Sequence, residues 1–350
     1  MSGGVDSSVA AVLLQQNGYE CTGAMMKLFD AEGGGGAPPP RAHRGCCTLE
    51  DAEDARAVAQ RLGLPFYVFN FTQAFQERVV ARFALSYRRG ITPNPCIDCN
   101  RFVKFEKFLH RAAELGQDFI ATGHYARITH ENGRWLLKKG LDETKDQSYV
   151  LYAMTQQQLA RTLFPLGTLT KEAARELAAQ AGLGNAKKRD SQDICFAPDG
   201  DYTRVIGNAA PGDFIDAEGR VLGRHRGLIH YTIGQRKGLQ ISAPHPLYVR
   251  ALDGESNTVV LGTNEQLFSR ALTANEINLI PFDALPAPLR VTAKIRYSHT
   301  PQCATVRQVG DDTLHIEFDQ PQRAITPGQA VVLYDGDMVV GGGTIISPLP

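Results

Sequence analysis

The chain has 350 residues, 43% of them hydrophobic and 21% charged, which is the balance of an ordinary globular protein long enough for two or three domains. No apolar run reaches the roughly 18 residues that a membrane span needs, and no basic n-region followed by an apolar h-region marks a secretory signal, so a cytoplasmic setting without a membrane is expected. Lysine plus arginine and aspartate plus glutamate stand at 37 each, so no global charge pulls the chain towards nucleic acid. Local clusters at Lys187-Lys188-Arg189, Arg224-His225-Arg226 and Arg236-Lys237 read first as solvated basic faces.

In chain order, Val5–Gln16 has helical apolar spacing and stops at Asn17-Gly18. Tyr19–Phe29 reads as strand, and the glycine and proline run at 33–40 reads as a mobile excursion. Leu49–Leu62 is helix, Pro65–Phe71 strand, Gln73–Arg89 helix, Asn100–Leu115 helix, and Phe119–Thr122 strand. Strand and helix in alternation predict a doubly wound parallel sheet. After about Gly200 helical periods fade, and short β-rich runs alternate with turn signals such as Pro211-Gly212-Asp213 and Asp335-Gly336. The reading is an α/β class chain with a domain over 1–200, a small β-rich domain over 201–267 and a C-terminal β-barrel over 268–350. No internal repeat is found.

The segment Ser2-Gly3-Gly4-Val5-Asp6-Ser7-Ser8 opens the first helix with small, flexible and hydroxyl residues. Adjacent glycines let backbone N–H groups converge, and the first helical turn leaves donors open and carries partial positive charge. Serine hydroxyls complete a phosphate cradle. The pattern is neither G-x-x-x-x-G-K-[ST] nor G-x-G-x-x-G. It is similar to the S-G-G-x-D-S pyrophosphate loop of the ATP pyrophosphatase superfamily, whose members split ATP between its α and β phosphates.

Seven cysteines occur, an odd number at irregular spacing, as expected of thiols in a reducing compartment. Cys21, Cys46, Cys47 and Cys303 read as incidental. In Thr92-Pro93-Asn94-Pro95-Cys96-Ile97-Asp98-Cys99-Asn100, two prolines stiffen a loop and Asn100 is placed to cap the following helix. Cys99 is then expected at a helix N-terminus, where the dipole favours thiolate. Cys195 lies in Asp190-Ser191-Gln192-Asp193-Ile194-Cys195-Phe196. Three readings stand open: an iron–sulfur cluster held by Cys96, Cys99 and Cys195, half of a zinc site, or a Cys99–Cys195 pair that exchanges sulfur.

Nine blocks in order resemble the tRNA-specific 2-thiouridylase family: SGGVDSS (2–8), GAMMK (23–27), TPNPCIDCN (92–100), ATGHY (121–125), GLDETKDQSY (140–149), DSQDICF (190–196), HYTIGQRKGL (230–239), IRYS (295–298) and ITPGQAVVLYDG (325–336). The resemblance implies an adenine nucleotide hydrolase-like first domain and sulfur placed on C2 of a wobble uridine. It further implies that Ser2, Gly3, Gly4, Val5, Asp6, Ser7 and Ser8, with Met26 and Gly123, contact ATP. Cys99 would be the nucleophile and Cys195 the persulfide carrier. Asn94, Pro95, Cys96, His124, Lys145, Asp146, Gln147, Arg296, Tyr297 and Gln329 would face the target base or the tRNA.

In the chemistry so implied, uracil O2 attacks the α-phosphate of ATP, with Mg2+ on the phosphates and Asp6 as a candidate ligand. Sulfur comes from a persulfide on Cys195, supplied by a cysteine desulfurase or a relay protein, and a Cys99–Cys195 disulfide is one product. A monomer is expected. Some family members carry aspartate at the place of Cys96. Two other classes compete: a pyrophosphatase that amidates a metabolite, which would have no use for the two cysteines, and a non-catalytic RNA-binding module. A phosphate loop of this kind ordinarily follows a central strand, so the natural protein is expected to start about ten residues earlier, with Met1 at a normally internal position.

Overall fold

The structure is a computed structural model that describes residues 1–29, 49–186, 188, 194–197, 202–207 and 209–350. The glycine and proline run at 33–40, Cys46, Cys47, Lys187, Arg189 and residues 190–193 lie outside the described residues. The chain divides into two compact units. An α/β unit holds residues 1–79, 96–201 and 337–339, and a β-rich unit holds 80–95, 202–336 and 340–350. Residues 80–95, assigned by the sequence to the first domain, thus group with the β-rich unit.

Among the described residues the α-helices are, in chain order, α1 (Val5–Gln16), α2 (Leu49–Arg61), α3 (Thr72–Phe75), α4 (Ala81–Arg88), α5 (Pro95–Asp98), α6 (Phe108–Glu114), α7 (Gln156–Ala160), α8 (Lys171–Gln180) and α9 (Thr203–Ile206). The strands of the α/β unit are β1 (Gly23–Lys27), β2 (Phe66–Asn70), β3 (Ile120–Ala121), β4 (Ala126–Glu131), β5 (Arg134–Lys139) and β6 (Thr162–Leu163).

Helix α1 matches its sequence bounds. Val5, Val9, Ala10 and Val12 are buried, and together with Val58, Tyr125, Leu166, Ala174, Ala178 and Leu183 they form a core that brings α2 and α8 onto α1. The helix ends where Gly18 takes φ +81, and the Tyr19 amide donates to Leu14 O at 3.1 Å. Strands β1 and β2 pair in parallel, as do β3 and β6. The expected parallel topology is present, hydrogen-bonded as two pairs rather than as one continuous sheet. The hairpin β4–β5 was not anticipated, although its turn carries the signal: Asn132 and Gly133 both take positive φ, as a two-residue hairpin loop requires.

The helix expected over 73–89 is broken by a π-helical stretch at Gln76–Val80. The helix expected from Asn100 begins earlier, at Pro95, and passes through a second π-helical stretch, Cys99–Lys107, before α6. Proline suits a first helical position because its fixed φ is already helical and its missing N–H is not needed there.

In the β-rich unit, β7 (Gly212–Ile215), β8 (Val221–His225), β9 (Tyr248–Asp253) and β10 (Thr258–Gly262) form a sheet in the order β8-β7-β10-β9 over a core of Phe214, Tyr231, Val249, Val259 and Leu261. The remaining strands are β11 (Phe268–Leu279), β12 (Leu289–Lys294), β13 (Gln302–Gly310), β14 (Thr313–Arg323), β15 (Ala330–Asp335) and β16 (Met338–Leu349). They run in the order β11-β14-β13-β12-β15-β16, and β11 pairs again with β16, which closes a six-stranded barrel. Alternate residues of β14 (Leu314, Ile316 and Phe318) are buried, as a barrel wall requires. No helix among the described residues is long and apolar enough to cross a membrane.

Candidate functional site

The phosphate loop is wired internally. The Ser2 amide donates to Ser7 Oγ at 3.1 Å, while Ser7 Oγ and Ser8 Oγ donate to Gly4 O at 3.2 and 2.9 Å. The Met1 amine donates to Ala24 O and so ties the loop to β1. Gly3 takes φ +68, and a Cβ there would lie 2.5 Å from Asp51 O, so both conformation and space demand glycine. Gly4 is the extended N-cap of α1, and a Cβ there would meet only Ser2 Oγ at 3.5 Å. From the far side the Asn185 amide donates to Gly3 O at 3.0 Å and to Ser8 Oγ at 2.9 Å. Gly123, just past the carboxyl end of β3, packs so closely that a Cβ would stand 2.8 Å from Ser7 N. Met26 lies half-buried in β1, in register with Phe69. The loop therefore sits beside the carboxyl ends of parallel strands, where α/β folds bind ligands.

Asp6 departs from expectation. Its Oδ1 accepts from Lys171 Nζ at 2.7 Å and from Tyr125 OH at 3.0 Å, and its Oδ2 accepts from Lys171 Nζ at 2.9 Å. The carboxylate expected to serve Mg2+ is thus committed to a lysine and does not fit that role.

The cysteine helix corrects a second expectation. Cys96, exposed, lies in its first turn, whereas Cys99, buried at 9% exposure, lies one turn further in. The helix N-terminus therefore falls at Cys96 rather than at Cys99. Asn100 does not cap: its Nδ2 donates to Val150 O at 3.0 Å, and its buried Oδ1 has no hydrogen-bond partner. Cys195 is half-buried. Its neighbour Phe196 packs edge-on against Phe75 of α3 with ring centroids 5.8 Å apart, and α3 in turn packs on the Cys99–Lys107 stretch. Both cysteine segments thus meet α3. No disulfide joins the described cysteines. Among the described residues no three His, Cys, Asp or Glu side chains gather to hold a metal ion, Cys96, Cys99 and Cys195 included.

A cleft of about 470 Å³ opens at the end of β2, lined by Asn70, Thr72, Gln73, Gln76 and Glu77. Nearby, two cations lie against Phe102, with Arg78 4.5 Å and Arg101 5.1 Å from its ring centre.

The expected RNA-facing residues divide in two. Several have structural duties. His124 is buried between Phe105 and Phe164, and Thr122 Oγ1 lies 2.7 Å from its Nδ1. Burial, aided by the Lys104 charge, holds this imidazole well below its ordinary value and therefore neutral. Asp146 accepts from Gly140 N at 3.0 Å and from Ser148 Oγ at 2.8 Å, and Gln147 Oε1 accepts from Tyr125 N at 3.0 Å. Gln329 Nε2 donates to Thr92 O at 2.9 Å. The others differ in exposure: Lys145 and Asn94 are half-buried, Pro95 buried, Arg296 and Tyr297 exposed. Lys294 Nζ stands 5.7 Å from the Tyr297 ring centre, and nearby His299 is pushed down to about 4 by burial and by the Arg296 and Lys294 charges. Of the basic clusters, His225 is buried, with Nε2 3.0 Å from Asn257 O, while Arg236 and Lys237 are exposed.

Asp51, Tyr125, Lys171, Asn185 and Lys188 escaped the sequence reading as parts of the site. Lys188 Nζ bonds both Asp51 Oδ1 and Asp54 Oδ2 at 2.7 Å, fastening Lys188 to α2.

Family profiles match the chain in order: a tRNA methyl transferase HUP domain over residues 1–199, a tRNA methyl transferase PRC-barrel domain over 201–263, and an aminomethyltransferase β-barrel domain over 269–345. Among curated relatives, the tRNA-specific 2-thiouridylase MnmA of Moorella thermoacetica is 52% identical over 354 residues, covering 99% of this chain and 98% of the relative. The enzyme of the same name from Clostridium acetobutylicum is 50% identical over 350 residues, with 99% and 98% covered. That from Heliobacterium modesticaldum is 51% identical over 358 residues, with 100% and 92% covered. The cysteine-bearing α/β unit, the closed barrel and this full-length likeness lead to one conclusion: the chain belongs to the tRNA-specific 2-thiouridylase family.

Proposed function

We propose that this protein is an ATP-dependent tRNA 2-thiouridylase acting on the wobble uridine, with Ser2–Ser8, Met26 and Gly123 holding ATP. The observation that carries the reading is the presence, in one α/β unit, of an internally bonded glycine–serine loop at a helix start and of two cysteine segments that pack on the same short helix. A C2 carbonyl oxygen is a poor leaving group. Attack of uracil O2 on the α-phosphate expels pyrophosphate and converts that oxygen into part of AMP. The terminal sulfur of a Cys195 persulfide then attacks C2 and AMP departs. Cys99 thiolate attacks Cys195 Sγ, breaking the S–S bond and leaving sulfur on the base, with a Cys99–Cys195 disulfide as the oxidised product. In the variant order Cys99 attacks first and the released sulfide adds to C2. Either way a dithiol reductant must return the two electrons.

The buried Cys99 and half-buried Cys195 suit this division, since the carrier must be charged by an outside donor, a cysteine desulfurase or relay protein, and the partner needs only to reach the carrier. A wobble uridine is single-stranded, so unstacking it costs only a few kcal/mol. Arg296 and Tyr297 supply phosphate pairing and base stacking, and Lys145, Asn94, Pro95 and Cys96 face the RNA. His124, Asp146, Gln147 and Gln329 serve by holding the loops that carry these contacts. The protein acts as a cytoplasmic monomer. The test supplies purified protein with unmodified tRNA, ATP and a persulfide donor. AMP release that requires tRNA and matches 2-thiouridine formed is expected, and AMP release indifferent to tRNA would overturn the reading.

A further inference from the structure

The Asp6–Lys171 pair has no place in the chemistry above. We infer that Lys171 is a positioning residue: the built-in counter-ion of the phosphate loop, cancelling the Asp6 charge so that the loop offers only donors to a polyphosphate. The inference rests on the reading that residues 2–8 bind ATP.

The pair is rigid. Lys171 opens α8, whose N-cap Thr170 accepts from Ala173 N at 3.2 Å. Its own amide donates to Asp142 Oδ2 at 3.0 Å. Helix α8 packs on α1 through Val5, Val9, Ala174 and Ala178. This scaffold delivers the ammonium to both Asp6 oxygens, at 2.7 and 2.9 Å, and 5.7 Å from the Tyr125 ring centre. The lysine side chain is 6% exposed, so its charge is spent on Asp6 rather than on solvent. Asp6 itself belongs to the first turn of α1, where a carboxylate favours the helix. Left alone, that carboxylate would repel an anionic ligand or capture a divalent cation. Paired, it does neither.

The test measures ATP binding calorimetrically for wild type, Lys171→Met, Asp6→Asn/Lys171→Met and Lys171→Arg, with circular dichroism to check folding. Lys171→Met should weaken ATP binding at least tenfold and gain Mn2+ binding, read by electron paramagnetic resonance without nucleotide. The double variant, which has no charge left to cancel, should bind ATP at least threefold more tightly than Lys171→Met and lose the Mn2+ site. Should Lys171→Met not fold, the double variant and Lys171→Arg carry the comparison, and both should bind ATP. A double variant weakened as much as Lys171→Met, or failing to bind where Lys171→Met does not fold, would overturn the inference by making the lysine a direct ATP ligand. Unchanged binding by Lys171→Met would overturn it too. Wild-type protein that folds but binds no ATP would instead overturn the reading of the loop on which the inference stands.

Discussion

The phosphate loop and the cysteine helix are fixed in different ways. The loop is held by hydrogen bonds and close contacts, from its own serines and from far along the chain: Ser7 and Ser8 bond Gly4 O, Gly3 rests on Asp51, Ser8 on Asn185, Asp6 on Tyr125 and Lys171, and Gly123 closes over Ser7. The cysteine helix is seated mainly by apolar burial, with Pro95 starting it, Val103 and Phe105 buried, and Phe105 packed on His124 and Phe164. On the proposed reading an anion site keeps several donors aimed at once and is pinned from many sides. On the same reading a sulfur-transfer site meets a donor, a base and a reductant in turn, with exposed Cys96 and half-buried Cys195 approachable and Cys99 buried.

Breaking each half separately sharpens this contrast. Cys195→Ser or Cys99→Ser should lower thiolation on the order of a thousandfold or more while ATP binding is kept, read by mass spectrometry of tRNA nucleosides. Asp6→Ala strands a buried lysine and should cost about 3–5 kcal/mol in urea unfolding. Gly3→Ala forces a Cβ into left-handed backbone against Asp51 and should cost roughly 1–3 kcal/mol with loss of ATP binding. Gly4→Ala, with only ordinary contacts, should stay within about 1 kcal/mol of wild type. In the β-rich unit, Tyr297→Ala should weaken tRNA binding by about 1–3 kcal/mol and leave ATP binding unchanged, measured by filter binding.

The smallest effect concerns pH. His124 has its folded-state value lowered below the ordinary 6.5 by burial, so below that pH the unfolded chain binds more protons. Its contribution to stability is complete above about pH 6.5 and is lost as the pH falls, by at most about 1.4 kcal/mol per unit. His124→Asn should flatten the acid limb of a pH series of urea unfolding.

Local signals read true where structure is local. Helix α1 kept its bounds because apolar spacing and Asn17-Gly18 agree, and the alternating strands announced the barrel. The start of the cysteine helix was misplaced because Pro93-Asn94-Pro95 looks like loop, whereas Pro95 is a helical first residue. The counter-ion of Asp6 could not be read at all. Lys171 is 165 residues away, and Thr170-Lys171-Glu172 looks like any solvent-facing helix start. Only the packing of α8 on α1 joins them. Likewise the aspartate that looked ready for a metal was already paired.

The central claim is that the loop and the thiols perform successive halves of one substitution at C2. Isotope tracing tests it most directly, using tRNA labelled with 18O at uridine O2 and a 34S persulfide donor. The account predicts that 18O leaves in AMP and 34S enters the nucleoside in equal amounts. Label found in pyrophosphate or retained on the base after thiolation would contradict it.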